Sequence, residues 1–463
     1  MTTARVARSF EEVEELRPAW ELLHNGRVTS DLDFMLTYCR HTAGVIRPHV
    51  VLVEEDGKPV ALAAGRLEDT HVPGRLGFKV VLNSRVRALT FVYGGLLGDP
   101  DSMPALLSAV GESIRNERLD LVRFRMLELG SPQHTVLSDA SPTVRKQRFA
   151  TKLRHWRAAL PGSLDEFLAG RSRRRRESVR RYSRRLERDY GDDARVEVVR
   201  DGAGLEKLFA ESKIVHKETY QHVLGVGFSD ENVQRRLAEL AADRGWFRGY
   251  MLYLRDKPVA FWHGNAYKGS FGVVSTGFDP AYADDRPGTY LLMRAVEDLS
   301  ADGSAKVLDF GFGDADYKRH FGDDFVEEQD VGVFERRPRT IALNAAHTVL
   351  GGTTAAGRAV AGGTGALAGF RRRRRLGQHT GILGCFVLTL LVSLAIATAA
   401  GLAAGPRTAM GPGKTVSSEL FVDGVRRPDE PKPLRPPELQ AEGPDDDRVP
   451  RAGARSQTLS IAA

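Results

Sequence analysis

The sequence predicts an α/β protein that consists of two copies of one α/β unit, one transmembrane helix and a disordered tail. Three observations predict this organisation. A hairpin-like segment occurs twice, similar predicted elements surround each copy, and a long apolar run lies near the C-terminus. A chain of 463 residues is long enough for roughly two to three domains with a sizeable core.

The repeated segment covers residues 51–65 and 251–264. The first copy reads VLVEEDGKPVALAAG and the second reads MLYLRDKPVAFWHG. With a gap of one residue, the copies share the Lys-Pro-Val-Ala stretch and the closing Gly. Each copy is typical of a strand, a tight polar turn and a second strand.

The segments around the two copies also correspond. In each half the pattern predicts three strands, a helix and a further strand. In the first half they cover residues 47–55, 58–67, 88–93, 101–117 and 119–125. In the second half they cover residues 247–255, 258–266, 270–278, 288–300 and 306–310. Because duplication is the economical explanation, we assign an N-terminal domain to 1–160 and a C-terminal domain to 161–340.

The net charge of +7 is concentrated in two arginine clusters. Residues 171–188 hold ten Arg and two Glu, and residues 371–375 are five consecutive Arg. The rest of the chain therefore carries −6, which removes support for a genome-binding protein. The two cysteines, Cys39 and Cys385, are too few for a disulfide framework or a cysteine-based zinc site. Acidic and histidine residues do not cluster at metal-ligand spacing either, so we predict no metal.

A single-pass transmembrane helix is predicted at 376–405. This segment contains no Asp, Glu, Lys or Arg, and its apolar part is long enough to span a bilayer. The arginines at 371–375 adjoin its N-terminal end, so the positive-inside tendency places them and the catalytic region in the cytoplasm. Residues 341–375 are assigned to a linker with this Arg cluster. The tail 406–463 is rich in Pro and charge, and we expect it to be disordered and extracytoplasmic.

The first arginine cluster, 171–188, predicts an amphipathic basic helix. Val179, Tyr182 and Leu186 form an apolar stripe, while arginines form a stripe on another face. That face suits anionic lipid heads, the phosphates of CoA or of a nucleotide-linked substrate, tRNA, or solvent alone. Aromatic residues are sparse and no RNA-binding motif accompanies the helix, so nucleic acid is not the favoured partner.

Two further segments have the character of a binding site. The helix predicted at 288–300 is preceded by Arg286-Pro287-Gly288-Thr289, and a Gly at a helix start exposes N–H groups that suit a pyrophosphate. An ordinary helix start is the alternative. The segment 308–325 reads LDFGFGDADYKRHFGDDF, in which dense polar residues follow a buried-looking strand. Such a pattern suits a site at the strand's C-terminal end. A solvated turn that enters a short helix is the alternative.

These motifs resemble a known family. The pattern Asp309-Phe-x-x-Gly313-x-x-x-Tyr317-Lys318, preceded by Pro287-Gly288-x-Tyr290, resembles the CelD-like acyltransferases of the GNAT superfamily. These are similar in turn to the FemABX peptidoglycan aminoacyltransferases. The basic helix upstream, with Arg180, fits the family signature. The resemblance covers about residues 1–340 and implies two tandem GNAT-like domains and an acyl-CoA or aminoacyl donor.

The resemblance and the chemistry of acyl transfer together assign candidate roles. Tyr317 is the candidate proton donor to the leaving thiolate, and Asp309 is the candidate base or orienting group. His263 is a third catalytic candidate because its strand borders the predicted donor groove, although a buried structural histidine is the alternative. Arg286, Gly288 and Thr289 are assigned to the acyl-CoA donor. The residues assigned to substrate binding are Lys318, Gly311, Gly313 and Arg180. For Lys318, structural pairing with Asp314 or Asp323 is the alternative.

We therefore predict a membrane-anchored acyltransferase. The donor is an acyl-CoA, in the first place acetyl-CoA, and the acceptor is a small or lipid-linked precursor of the cell envelope or of a polysaccharide. Two alternatives stay open. One is a FemABX-type enzyme that uses aminoacyl-tRNA, and the other is a non-catalytic GNAT-like membrane scaffold.

Overall fold

The computed structural model describes residues 1–363 except 77–78, 141–144, 149, 151, 220–227 and 230. The arginines at 371–375, the predicted transmembrane helix and the predicted tail lie outside the described residues. Within the described part of the chain, no helix combines the length and the apolar character needed to cross a bilayer.

The twelve strands form one mixed sheet. They are β1 Thr2–Ala7, β2 Val45–Glu55, β3 Lys58–Leu76, β4 Lys79–Gly98, β5 Leu121–Glu128, β6 Leu153–Ala159, β7 Ala194–Val199, β8 Phe247–Leu254, β9 Lys257–Tyr267, β10 Gly269–Phe278, β11 Ala305–Phe312 and β12 Asp324–Phe334. The helices of the described residues are α1 Phe10–Glu14, α2 Arg17–Leu23, α3 Leu32–His41, α4 Met103–Ser113, α5 Pro132–Ala140, α6 Leu164–Ala169, α7 Arg173–Tyr190, α8 Gly202–Glu218, α9 Asn232–Asp243, α10 Pro287–Asp302, α11 Asp316–Phe321 and α12 Pro338–Gly363.

The two ends of the sheet have the same strand order. From one edge the order is β1-β2-β3-β4-β5-β12, and from the other it is β7-β8-β9-β10-β11-β6. We call β1–β6 the first repeat and β7–β12 the second repeat. The pairs β4/β5 and β10/β11 are parallel, and the other neighbouring pairs are antiparallel. The final strands are exchanged, since β12 pairs with β5 and β6 pairs with β11.

The duplication is visible in the two hairpins that the sequence predicted. Each hairpin is closed by a two-residue turn, between Glu55 and Lys58 in β2/β3 and between Leu254 and Lys257 in β8/β9. Both turn residues have positive φ in each case: 49° and 76° at residues 56–57, and 51° and 60° at residues 255–256. Such turns match the twist of the flanking strands, which explains why both copies are tight hairpins.

The strand exchange was not predicted. The boundary assigned at residue 160 falls just after β6, whose neighbours β11 and β12 both belong to the second repeat. The two repeats therefore share one continuous sheet at their junction.

Helices cover both faces of this sheet. The α4/α10 face carries the clusters around Leu106 of α4 and Leu291 of α10. The α3/α9 face carries the clusters around Met35 of α3 and Ala241 of α9. Phe34 of α3 packs against α9, so helices of both repeats meet over this second face.

The segment that follows the sheet is helical. Residues 341–363, assigned from sequence to a linker, form most of α12. This helix packs on the β3/β4 hairpin, where Leu343 joins the cluster of Val72 and Val86, and Thr354 donates a hydrogen bond to the Arg75 carbonyl. An Ala- and Gly-rich helix is stable here because it is docked on the sheet.

Candidate active site

The parallel strands β10 and β11 separate partway along their length. Their pairing runs from Gly269/Ala305 to Gly272/Asp309. Beyond that point β10 follows β9 as far as Phe278, and β11 follows β6. A Cβ added at Gly272 would meet no atom within 4 Å. The sheet therefore has an opening beside Asp309.

On the α4/α10 face, aromatic rings border this opening. Trp262 and Phe310 are both buried, and their ring centroids lie 6.3 Å apart. Tyr317, at the start of α11, is half-buried, with its ring centroid 6.1 Å from Trp262 and 5.9 Å from Phe310. Alternation along the strand turns Phe310 and Asp309 to opposite faces. The opening thus lies between Tyr317 on one face and Asp309 on the other.

On the α3/α9 face, Asp309 belongs to a buried polar network. Asp309 Oδ1 lies 2.5 Å from His155 Nε2 and accepts the Gly311 N–H at 2.8 Å. His155 Nδ1 lies 2.9 Å from the Tyr93 hydroxyl and 3.4 Å from Glu328 Oε2. The network is assembled from β4, β6, β11 and β12, so it exists only because the final strands of the repeats are exchanged.

The charges in this network stabilise one another. Burial disfavours protonation of His155, but the hydrogen bonds to Asp309 and Glu328 outweigh it and raise the pKa of His155. Burial also disfavours ionisation of Asp309, but the hydrogen bond from His155 lowers its pKa overall. Burial raises the pKa of Tyr93. The arrangement favours a carboxylate at Asp309, held in place by its hydrogen bond with His155.

The turn after Asp309 is held by Lys318. The Lys318 ammonium donates to the carbonyls of Gly311 and Phe312, at 3.2 and 2.5 Å. Burial lowers the pKa of Lys318 to about 8, although Asp309 opposes this shift. Gly311 and Gly313 have φ values of 68° and 98°, which favour glycine. The structure thus brings these predicted substrate-binding residues to Asp309, where Lys318 fixes the shape of the turn.

The N-terminus of α10 lies at the far end of β10. Arg286 adopts a left-handed conformation with φ of 54°, and its carbonyl accepts the N–H groups of Thr289 and Tyr290 at 3.0 and 3.1 Å. Among the first amides of this helix, Gly288 N–H is left as the donor for a ligand. The site predicted for a pyrophosphate therefore offers fewer free amides than the sequence suggested.

Cationic side chains of α7 reinforce this helix start. The Arg286 guanidinium lies 5.4 Å from the ring centroid of Tyr182 on α7. Burial lowers the pKa of Arg175, and the nearby charges of Arg174 and Arg286 lower it further. Arg180 instead forms an exposed ion pair with Asp165 at 3.2 Å. The basic helix thus brings Arg175 and Tyr182 close to Arg286, at the start of the predicted donor site (residues 286–289, called the donor loop). From the sequence, neither residue was assigned to this site.

His263 is not brought to either catalytic candidate. It is fully enclosed beneath α8, where its ring contacts those of Phe209, Phe228, Phe247 and Phe261. Burial lowers its pKa to about 4, so it is a neutral imidazole. Along β9 it faces away from Trp262, the residue that contacts Tyr317. Among the described residues, its Nε2 atom has no hydrogen-bond partner.

Sequence reasoning missed the partners of Asp309. His155, Tyr93 and Glu328 lie 154, 216 and 19 residues away along the chain, respectively, and no local motif surrounds them. Alternation along 153–159 could have placed His155 and Arg157 on one face of a strand. Nothing in the sequence indicated that this strand would pair with β11.

One protein family matches the region of the chain that contains this site. Residues 173–319 match the acetyltransferase (GNAT) domain family, and the matched region includes Asp309, Tyr317 and the start of α10. The chain therefore carries a GNAT acyltransferase domain, and the predicted enzyme class is confirmed.

Several solved structures are similar to this chain. The structure of FemX matches with a TM-score of 0.52 at 13% identity, over 72% of this chain and 98% of the other. A tandem GNAT protein from the clavulanic acid biosynthesis pathway matches with a TM-score of 0.42 at 12% identity, over 72% and 98% of the two chains. L-PGS from Bacillus licheniformis matches with a TM-score of 0.40 at 14% identity, over 71% and 98%. Among curated proteins, none is significantly similar in sequence. The FemX match confirms the predicted α/β, GNAT-like fold.

Proposed function

We propose that this chain is a membrane-anchored acyltransferase that transfers an acyl group, in the first place acetyl, from acyl-CoA to an amine or hydroxyl group. The acceptor is a precursor of the cell envelope or of a polysaccharide. The observation that carries this proposal is the opening between β10 and β11. It lies between Tyr317 on the α4/α10 face and Asp309 on the α3/α9 face, so donor and acceptor can approach from opposite sides.

The donor side is the α4/α10 face. The Gly288 N–H, the Thr289 hydroxyl and the guanidinium groups of Arg286 and Arg175 are suited to the pyrophosphate of CoA. The apolar rings of Trp262 and Phe310 are suited to the arm that leads to the thioester. This arrangement points the thioester carbonyl into the opening beside Asp309.

The acceptor side is the Asp309 network. As the acceptor nitrogen or oxygen bonds to the acyl carbon, its proton becomes more acidic and passes to the Asp309 carboxylate. The carbon–sulfur bond breaks, and the Tyr317 hydroxyl donates its proton to the thiolate. After the products leave, Asp309 releases its proton to water and Tyr317 takes one from water. His155 holds Asp309 in the orientation that this transfer needs.

The location of the enzyme is inferred from its sequence. The apolar segment 376–405 would anchor the chain, and the arginines at 371–375 would keep the catalytic region in the cytoplasm. A lipid-linked acceptor would then be presented to the enzyme at the membrane surface. A topology reporter fused after Ala463 should be active outside the cytoplasm, whereas activity inside would contradict this orientation.

Donor binding is the decisive experiment. Thermal denaturation of the full-length chain should be measured with acetyl-CoA, longer acyl-CoAs, free CoA and aminoacyl-tRNA. We expect CoA species to raise the melting temperature, because a ligand that binds only the folded state stabilises it. Absence of any shift with CoA species would contradict the proposal, and absence of a shift with aminoacyl-tRNA as well would favour the non-catalytic scaffold.

A FemABX-type aminoacyltransferase is the second candidate. The fold match to FemX and the basic helix α7 favour it. In this case aminoacyl-tRNA would stabilise the chain with a steep salt dependence, and ribonuclease would abolish activity. Activity that survives ribonuclease would exclude this candidate.

A further inference from the structure

A second cavity lies where β4 and β5 separate, on the α3/α9 face. The paired part of these strands ends at Phe91/Phe124. The cavity has a volume of about 100 Å³. One wall is apolar, with residues of α3, β4 and β11, and the other is charged, with residues of β3 and β5. The apolar wall includes Phe34, Met35, Tyr38, Val92 and Phe312.

The charged wall has more guanidinium groups than carboxylates. Glu68 accepts from Arg66 at 2.7 Å, from Arg123 at 3.1 Å and from the Thr90 hydroxyl at 2.6 Å. Arg125 also lines the cavity and lies 3.5 Å from Asp330. Three arginines thus face two carboxylates, which leaves one positive charge in excess.

One donor on this wall is unused. Arg123 is only 8% exposed, and its Nε atom has no hydrogen-bond partner among the described residues. Burial of an N–H group without a hydrogen-bond partner costs free energy. In an arginine that lines a cavity, the oxyanion of a bound ligand can supply the missing acceptor. The planar guanidinium favours a carboxylate or phosphate in such a position.

The cavity continues toward the reaction centre. Tyr93 and Phe312 line it, and both also contact His155. The Tyr93 hydroxyl is 2.9 Å from His155 Nδ1, and the Phe312 ring centroid is 4.8 Å from that of His155. A molecule in the cavity with its anionic end at Arg123 would have its other end directed past these rings toward Asp309.

We propose that this cavity binds an oxyanion group of the acceptor, so that the acceptor is an amine or alcohol with a carboxylate or phosphate at its other end. Arg123 and Arg125 bind the oxyanion, and the wall of Phe34 and Met35 contacts the carbon chain between the two ends. The assignment of the bound molecule as acceptor rests on the proposed function. Binding of the anion by the arginines requires no acyl donor.

The experiment compares ligands that differ only in the anionic group. Calorimetric titrations of the full-length chain should use 4-aminobutyrate, 3-aminopropylphosphonate and n-butylamine. We expect at least one anionic amine to bind about tenfold or more tightly than n-butylamine, and the stronger of the two identifies carboxylate or phosphate as the preferred group. Equal binding of all three, or no binding, overturns the proposal.

Two variants locate the binding. Arg123→Gln should reduce the affinity for the anionic amine to that of n-butylamine. Because Arg123 is buried, Arg125→Gln serves as a second variant in which folding is less at risk, with an expected loss of about tenfold. Arg87→Gln, at an exposed arginine paired with Asp69, is the matched control and should bind like the unchanged chain. Unchanged binding in both Arg123→Gln and Arg125→Gln overturns the proposal. If the anionic amines bind through these arginines while no CoA species binds, the proposed donor is wrong and the anion site stands.

Discussion

The two repeats open the sheet at corresponding places but line the openings differently. In each repeat, a residue on the second strand of the hairpin (β3 or β9) pairs with a residue on the next strand (β4 or β10). That residue also pairs with a residue on the following, parallel strand (β5 or β11). These three positions are Arg66, Thr90 and Arg123 in the first repeat and Asn265, Gly272 and Asp309 in the second.

The two openings differ in the side chains that line them. In the first repeat, Glu68 and its two arginines form a buried ionic cluster beside the gap, and Phe91 stacks on Phe124 with centroids 4.7 Å apart. In the second repeat, the space beside Gly272 is open. The second opening therefore lies beside a residue without a side chain, whereas the first presents positive charge to a ligand on the α3/α9 face.

The largest effect is expected from Asp309→Asn. Loss of the carboxylate removes the proton acceptor in the second opening, so kcat should fall roughly 10²- to 10⁴-fold. Steady-state rates with a functional donor and acceptor measure this, together with a melting curve. Asp314→Asn, at an exposed residue paired with Arg154 and Arg319, is the control and should retain its rate. Equal rates in both variants would remove Asp309 from the chemistry.

A large effect on stability is expected from Glu68→Gln. Removal of this carboxylate leaves Arg66 and Arg123 buried without their shared partner, which should cost about 3–5 kcal/mol of the free energy of unfolding. Denaturant titration measures it. Asp69→Asn affects the exposed arginines Arg85 and Arg87 and should cost about 0–1 kcal/mol. A similar small loss in both variants would show that the cluster does not stabilise the first opening.

The cluster of Glu68, Arg66 and Arg123 also predicts that the free energy of unfolding depends on pH. Burial raises the pKa of Glu68, but Arg66 and Arg123 outweigh it and lower this pKa to about 2, from an ordinary value of 4.5. The stabilisation by Glu68 is therefore complete above pH 4.5 and is lost as the pH falls toward 2. Unfolding measured across this range should be less sensitive to pH in Glu68→Gln than in the unchanged chain. If the free energy of unfolding changed with pH equally in Glu68→Gln and in the unchanged chain, the lowered pKa of Glu68 would be wrong.

A smaller effect on rate is expected from Tyr317→Phe. Loss of the hydroxyl removes the proton donor to the thiolate, so kcat should fall about 10- to 100-fold. The ring contacts with Trp262 and Phe310 remain, and the melting temperature should hardly change. Unchanged turnover would exclude Tyr317 from the mechanism.

The smallest effect is expected at the entrance for the donor. Arg286→Gln should raise the KM for acyl-CoA roughly tenfold with little change in kcat, because it removes one charged contact to phosphate. Arg180→Gln on the same basic surface is the control, since Arg180 pairs with Asp165 and not with the donor loop. If both variants raise KM equally, the basic surface acts through its overall charge alone.

Much of the fold could be predicted because it depends on local patterns. The hairpins at residues 56–57 and 255–256 follow from polar two-residue turns between apolar strands, and α10 follows from Pro287 and its apolar stripe. The candidate site was predicted only where its residues are close along the chain, as for Asp309, Gly311, Gly313, Tyr317 and Lys318. His263 appeared catalytic because a sequence does not show which side of a strand is covered by phenylalanine rings.

By itself, the sequence determined the repeat, three strands, a helix and a further strand in each half, the enzyme class through the motif at 309–318, and the separation of charge into two arginine clusters. The tertiary structure alone decided the exchange of β6 and β12, and with it the meeting of His155, Tyr93 and Glu328 around Asp309. It also decided that Arg123 faces a cavity while its counterpart Asp309 faces the opening. Local patterns are set by backbone geometry over a few residues, whereas these contacts join residues up to 235 positions apart and depend on which strands become neighbours.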